Sequence, residues 1–349
     1  MIGRALLRRT KPTSTEFVDA ALVDRLRAWT LENEALVPIE QTYEKLFMLN
    51  RVAPMFADLP RDCRILEVGC GHGVQSALLS QFGRVSATDL EVTEAWMGTE
   101  VGRARAAVFR DLGQGNIEFM PNSGDSLPYE SETFDIVYHS SVIEHVPNVL
   151  AFNRETARVL KRGGRVICTT GTSGLALFRL AHFYSLELPR QVAAALLSAF
   201  LSSAGVREAP MLALARCLAA DRKRPDRVLA PSAIRALYPR LWHALGQPEY
   251  NRILIENLAR ESGVSIEDLW ANVALHLESS PWHEVLFRLA PRTHGQHYRG
   301  AIDEAAQWSL PVWKQSFEDA GFRVEQVLGH RFDHLFLWGG GLTHPRGGT

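Results

Sequence analysis

Residues 64–73 read R-I-L-E-V-G-C-G-H-G, and no other stretch restricts the fold as tightly. An apolar run of strand length meets an acid, then three glycines spaced by two. Glycine admits backbone conformations closed to other residues and lets the chain approach a ligand that any Cβ would block. A strand turning over glycines into a helix opens a βαβ unit. The downstream sequence repeats that rhythm. Short apolar runs at Ile65–Val68, Val85–Thr88, Ile117–Met120, Phe134–Tyr138 and Arg165–Thr169 alternate with helical spacing over 73–81, 92–112 and 147–161. This predicts an α/β fold with a mostly parallel sheet flanked by helices. Lys161-Arg162-Gly163-Gly164 sets cations and then glycine at the end of the third helix.

Around this block lie segments of other character. Helical spacing over 15–33 and 38–57 gives two N-terminal helices within residues 1–59. After Gly171 the alternation stops, and residues 172–308 read as helices punctuated by proline, serine and glycine. Alternation returns with a helix at 311–320 and strands at Phe322–Val327 and His334–Trp338, before a glycine-rich tail expected to fray at 340–349. The expected architecture is a seven-stranded sheet domain, 60–171 with 309–339, split after its fifth strand by a large helical insertion. An insertion of that length needs its own core or a function.

Composition narrows the function classes. With 38 Lys and Arg against 39 Asp and Glu, the net charge of −1 provides no global field for nucleic acid or an anionic bilayer. The basic run at 221–227 contains its own aspartates and reads as a solvated loop. Four cysteines without C-x-x-C spacing argue against a disulfide scaffold. No apolar run reaches the ~18 residues of a membrane span, and the first residues lack a secretion-type apolar stretch. A cytoplasmic protein is expected.

The glycine turn discriminates between ligands. A dinucleotide turn, G-x-G-x-x-G, needs its third glycine at 74, which is Val. It would also set a pyrophosphate beside Glu67, which has the wrong sign. A cationic ligand suits Glu67 better. S-adenosylmethionine carries an ammonium and a sulfonium and has no phosphate. The stretch resembles the first motif of the class I S-adenosylmethionine-dependent methyltransferases, an acid followed by G-x-G-x-G: here Glu67, Gly69, Gly71 and Gly73. Further resemblances follow in order. The strand 85–89 ends in Asp89, Asn122-Ser-Gly-Asp-Ser-Leu-Pro-Tyr129 is similar to an acidic L-P-F loop, and Phe134-Asp-Ile-Val is similar to F-D-x-V. Ile143-Glu-His-Val146, Val159-Leu-Lys-Arg-Gly-Gly164 and Ala320-Gly-Phe322 complete the set.

The resemblance implies a Rossmann-like fold and S-adenosyl-L-methionine as cofactor. It implies cofactor contacts at Glu67, Gly69, Cys70, Gly71, Gly73, Asp89, Leu90, Ser123, Gly124, Asp125, His139 and Ser140. Asp89 would accept both ribose hydroxyls with Leu90 against the adenine, while Ser123 and Asp125 compete for the adenine amine. Asp135 is expected to be structural. Methyl transfer to an alcohol or phenol needs a base. His145, His294 and His297 are the candidate catalytic residues, with His139 a further candidate base. H-x-x-H at 294–297 has no nearby acid, so no metal is expected.

The acceptor expected is a small molecule, lipid or glycan, methylated on oxygen, with no nucleic-acid partner. The greasy runs at 175–184 and 192–201 suit a lid over the acceptor or peripheral contact with the inner face of a membrane. Two other functions fit parts of the pattern: a cofactor-binding interaction protein without catalysis, and a nicotinamide oxidoreductase with a degenerate turn.

Overall fold

The computed structural model describes residues 18–60, 62–89, 98–122, 124, 126–171, 176–177, 180–181, 183–203, 210–220, 222, 224–246, 251–279, 282–283, 298, 301–328, 331–334 and 343–346. Two helices lead. α1 (Ala20–Glu32) is capped by the Asp19 carboxylate, which accepts from the backbone N–H groups of Ala21 and Leu22. α2 (Ile39–Val52) follows.

The alternating block then forms β1 (Arg64–Val68), α3 (Val74–Leu79), β2 (Arg84–Asp89), α4 (Gly98–Leu112), β3 (Ile117–Pro121), β4 (Phe134–Ser140), α5 (Val149–Val159) and β5 (Leu160–Thr169). These five strands lie parallel in the order β3-β2-β1-β4-β5. The strand order reverses between β1 and β4, and ligands of such sheets bind at the carboxyl ends around that point. Val23 and Leu26 of α1 and Leu46 and Leu49 of α2 share one core with Val74 and Leu78 of α3 and Val108 of α4. The N-terminal helices therefore pack on the helices that follow β1 and β2. Asp135 accepts from the Arg64 backbone N–H (2.9 Å) and from Lys161 Nζ (2.8 Å), a structural tie across β1, β4 and β5.

Two expectations need correction. α5 stops at Val159, and Lys161 and Arg162 belong to β5. The carbonyls of Arg158 and Val159 accept from the N–H groups of Glu132 and Thr133, so pairing with β4 replaces the last helical turn. Residues Phe322–Val327 form no ladder, although Phe322 and Val324 are partly covered and their neighbours exposed. The alternation is real, but no described strand pairs with this segment, and most of the expected strand His334–Trp338 lies outside the described residues. β6 (Arg331–His334) and β7 (Thr343–Arg346) pair antiparallel with each other, so the main sheet has five strands among the described residues and the expected tail contains a strand.

Between β5 and the last helices lie α6 (Leu188–Ser203), α7 (Pro210–Leu218), α8 (Pro231–Gly246), α9 (Asn251–Ser262) and α10 (Ile266–Glu278). Met211, Ala215, Ile234, Leu241, Leu258, Trp270 and Leu277 gather α7–α10 around a core of their own. Trp270 is fully buried with its indole N–H unpartnered among the described residues. An unpaired buried donor costs about 1–3 kcal/mol, close to the apolar area that Trp270→Phe would lose. That substitution is expected to change stability by less than about 1 kcal/mol in urea unfolding. α11 (Ala301–Gln307) and α12 (Leu310–Glu318) return the chain to the sheet, where Asn153 of α5 donates to Ser316 Oγ of α12 (3.3 Å).

Candidate active site

The glycine turn sits at the strand-order reversal. Gly69, Gly71 and Gly73 all have left-handed φ, at +77°, +51° and +82°. The N–H groups of Gly69 and Cys70 both donate to the Thr88 carbonyl (2.8 and 3.0 Å), tying the turn to the end of β2. The three positions differ in their surroundings. A Cβ on Gly69 would lie 2.3 Å from Val142 Cγ2, and one on Gly73 would lie 2.5 Å from the Phe109 ring. At Gly71 a Cβ would meet nothing within 4 Å among the described residues. Two glycines permit close packing, and the middle one opens onto space.

Two carboxylates flank the turn. Asp89, 7% exposed at the end of β2, accepts from the Gly71 backbone N–H. Glu67, 2% exposed near the end of β1, accepts from Ser76 Oγ of α3. Burial pushes Glu67 up to about 7, against the opposing pull of the Ser76 hydroxyl and the Lys45 charge. Cys70 is buried there too, and burial pushes its thiol up.

The end of β4 supplies the second wall. Ser140 Oγ accepts from Thr169 Oγ1 (2.7 Å) of β5 and from Lys45 Nζ (3.3 Å) of α2. Ser141 then turns through a left-handed φ of +57° into a 3-10 turn at Ile143–His145. This places Glu144 in the interior, 2% exposed, where it accepts from Thr170 Oγ1 (2.9 Å). Burial pushes Glu144 up to about 7 as well. His145, next in the chain, is half-buried. Tyr298 donates to the Glu144 carbonyl (3.0 Å) and accepts from Trp308 Nε1 (2.7 Å).

The elevated carboxylates set a pH dependence. Between the ordinary glutamate value of 4.5 and about 7, the folded cofactor-free protein binds more protons at Glu67 and Glu144 than the unfolded chain does. Their contribution to stability therefore falls as pH rises through that window, on the order of 1–3 kcal/mol each. Glu144→Gln is expected to flatten the decline of Tm across the window, checked by melts at several pH values. An unchanged decline would contradict the assignment.

His139 belongs elsewhere. It is fully buried, 5.3 Å edge-to-face from Phe152 and stacked at 6.3 Å on Phe317. Its ring nitrogens have no partner among the described residues, and burial drives its basicity down to about 4. It packs between β4, α5 and α12, away from solvent. Gly124, also left-handed (φ +81°), donates to Asn122 Oδ1 (2.6 Å) and packs against Phe152 and Val68. Leu90, Ser123, Asp125, His294 and His297 lie outside the described residues.

Three contributors escaped the sequence reading. Arg105 of α4, 7% exposed, lies 3.6 Å over the Phe119 ring and donates to the Gly71 carbonyl (3.5 Å). Lys45 and Tyr298 are the others. None sits in a motif, and each reaches the site across a long loop of chain.

The comparisons bear on the same block. Residues 66–168 match a family model described as a methyltransferase domain. Residues 66–168 are thus a methyltransferase domain, of the class I S-adenosylmethionine-dependent kind. A ubiquinone biosynthesis O-methyltransferase of Bartonella tribocorum is 33% identical over 109 residues, 31% of this chain and 40% of that protein. The 27-O-demethylrifamycin SV methyltransferase of Amycolatopsis mediterranei is 27% identical over 166 residues, 45% of this chain and 58% of that protein. A crystal structure of an S-adenosylmethionine-dependent methyltransferase from Aquifex aeolicus covers 41% of this chain and 73% of its own, at 22% identity and a TM-score of 0.33. The chain thus spans about half the length of the two curated relatives.

The methyltransferase domain fits the family's cofactor on its own geometry. Open space beside Gly71 admits a ligand close to the backbone, and the buried carboxylates of Glu67, Asp89 and Glu144 suit a cation. Among the described residues no cluster of histidine, cysteine and acid suits a metal. None of the described helices is long and apolar enough to cross a membrane.

Proposed function

We propose that the protein transfers a methyl group from S-adenosylmethionine to an oxygen of a small-molecule acceptor, with lipid-like and glycan compounds inside that class. The observation that carries this reading is the open side of Gly71, bordered by the buried carboxylates of Asp89 and Glu67. The names of the two relatives, both small-molecule O-methyltransferases, support oxygen as the methylated atom.

When bound, the cofactor supplies an electrophilic methyl on a cationic sulfur that departs as a neutral thioether. The chain supplies the surroundings. Asp89 holds the ribose hydroxyls, and the glycine turn brings backbone against the ligand. Holding the acceptor oxygen in line at near-attack distance provides most of the acceleration. The Glu144–His145 turn receives the acceptor's proton, worth about 10²–10⁴-fold. In this proposal His294 and His297 line the acceptor pocket. Residues 60–171 with 309–339 act as the catalytic unit, and 172–308 acts as the acceptor-recognition element. Leu196, Leu197 and Phe200 of α6 are exposed, which supports contact with an apolar acceptor or the surface that carries it.

The test is transfer of label. Pure protein is incubated with methyl-labelled S-adenosylmethionine and cell extract separated into polar, lipid and protein fractions. Label is expected in a polar or lipid fraction. Cofactor binding with no label leaving it would favour a non-catalytic protein instead.

A further inference from the structure

A cleft of about 240 Å³ opens beside the first turns of α5 and α12. Both turns belong to the carboxyl end of the sheet. α5 begins just after the Ile143–His145 turn that follows β4. α12 is tied to the end of β5, where Trp313 Nε1 donates to the Gly171 carbonyl (3.0 Å). Tyr298, 1% exposed, also lines the cleft and donates to the Glu144 carbonyl (3.0 Å). The cleft therefore borders the turn that carries Glu144 and His145. Its lining joins apolar walls to two polar groups with capacity to spare. Val149, Val312 and the Trp313 ring supply the apolar surface. Asn148 caps α5: its Oδ1 accepts from the Ala151 N–H (3.1 Å), which leaves the side-chain Nδ2 donor over. Gln307 of α11 donates from Nε2 to Asp303 Oδ2 (3.0 Å), which leaves Oε1 over as an acceptor. The Ser316 hydroxyl, by contrast, is spent, donating to the Trp313 carbonyl (2.7 Å) and accepting from Asn153 (3.3 Å).

We infer that this cleft receives the ring of the methyl acceptor, a small cyclic compound anchored by one of its oxygens between the Asn148 amide and Gln307 Oε1. The inference rests on the proposed methyl transfer. Small-molecule sites are mostly apolar, with a few polar groups that fix the ligand's orientation, and this lining has that make-up. Size sets the class of compound. An apolar cavity of ~150 Å³ holds benzene, so this cleft takes one substituted ring. A hydroxyl suits the two polar groups together, accepting from Asn148 and donating to Gln307. An oxygen whose lone pair is taken up by Asn148 is a poor nucleophile, so the anchored oxygen is not the one methylated. Val149 and Val312 then select for ring shape, and Gln307 selects for the anchoring hydroxyl.

The test uses the full chain and two fluorinated rings that differ in one group. Para-fluorophenol carries the hydroxyl, and para-fluorotoluene has a methyl in its place. In fluorine NMR titrations para-fluorophenol should bind more tightly than para-fluorotoluene. Gln307→Leu should weaken para-fluorophenol roughly fivefold, the worth of one neutral hydrogen bond, and leave para-fluorotoluene unaffected. Val312 is 45% exposed, so Val312→Trp should fold and bind S-adenosylmethionine as the parent does. By filling the cleft it should abolish binding of both rings and lose most label transfer to cell extract. Equal affinity for the two rings, ring binding that survives Val312→Trp, or label transfer at the parent rate in that variant would overturn the inference and leave the methyl-transfer reading standing. Absence of label transfer by the parent chain would overturn that reading and the inference with it.

Discussion

Gly71→Val is expected to weaken S-adenosylmethionine binding roughly a hundredfold, ~2.7 kcal/mol, while the protein still folds. Gly71 has a φ of +51°, and a Cβ there meets no atom of the described residues within 4 Å. The new side chain therefore strains its own backbone, by roughly 1–3 kcal/mol, while its Cβ meets none of the described residues. In the proposed binding mode it fills the space beside Asp89 that the cofactor would take. The neighbouring glycines provide the contrast. Gly69→Val would drive a Cβ into Val142 and Gly73→Val into the Phe109 ring, so both should lower Tm well beyond Gly71→Val. Calorimetry for affinity and circular dichroism for melting separate the two effects. Unchanged affinity in Gly71→Val would remove the turn from the ligand site.

Trp308→Ala should destabilise the protein by about 3–5 kcal/mol, more than any hydrogen-bond deletion nearby. Trp308 is 1% exposed and lies where the chain returns to the sheet domain. A Cβ on Gly171 would sit 2.3 Å from its ring, so the indole packs directly on the backbone after β5. Its N–H donates to Tyr298, which donates in turn to the Glu144 carbonyl. Trp313 adds a second tie to the same strand end, donating from Nε1 to the Gly171 carbonyl (3.0 Å). Removing the indole opens a cavity and leaves the buried Tyr298 hydroxyl short of a partner. Tyr298→Phe removes only the hydroxyl and should cost about 1–2 kcal/mol. Urea unfolding of the two variants ranks them. A smaller loss for Trp308→Ala than for Tyr298→Phe would contradict this account of the junction.

Much of the methyltransferase domain was legible in the sequence because its signals are local. Each of the five parallel strands is an apolar run bounded by turn residues, and β1, β2 and β3 appear within a residue or two of the expected limits. The glycine turn is local as well: three residues in sequence, three left-handed φ angles. The end of α5 misled because Lys161 and Gly163 suit a helix terminus and a bulged strand equally, and pairing with β4 decided between them. Phe322–Val327 alternates but pairs with no strand among the described residues, because alternation reports which side is covered while a ladder also needs a neighbour offering hydrogen bonds.

The rest of the site was illegible because it is assembled at long range. Lys45 meets Ser140 from 95 positions away, Arg105 meets Gly71 from 34, and Tyr298 meets Glu144 from 154. His139 followed a motif position correctly, yet only the rings of Phe152 and Phe317 on either side identify it as core.

The most direct measurement sets two ligands against each other. The turn with its buried carboxylates should bind S-adenosylmethionine, and NAD should neither bind detectably nor displace it in a calorimetric competition. Binding of NAD with exclusion of S-adenosylmethionine would contradict the account at its base.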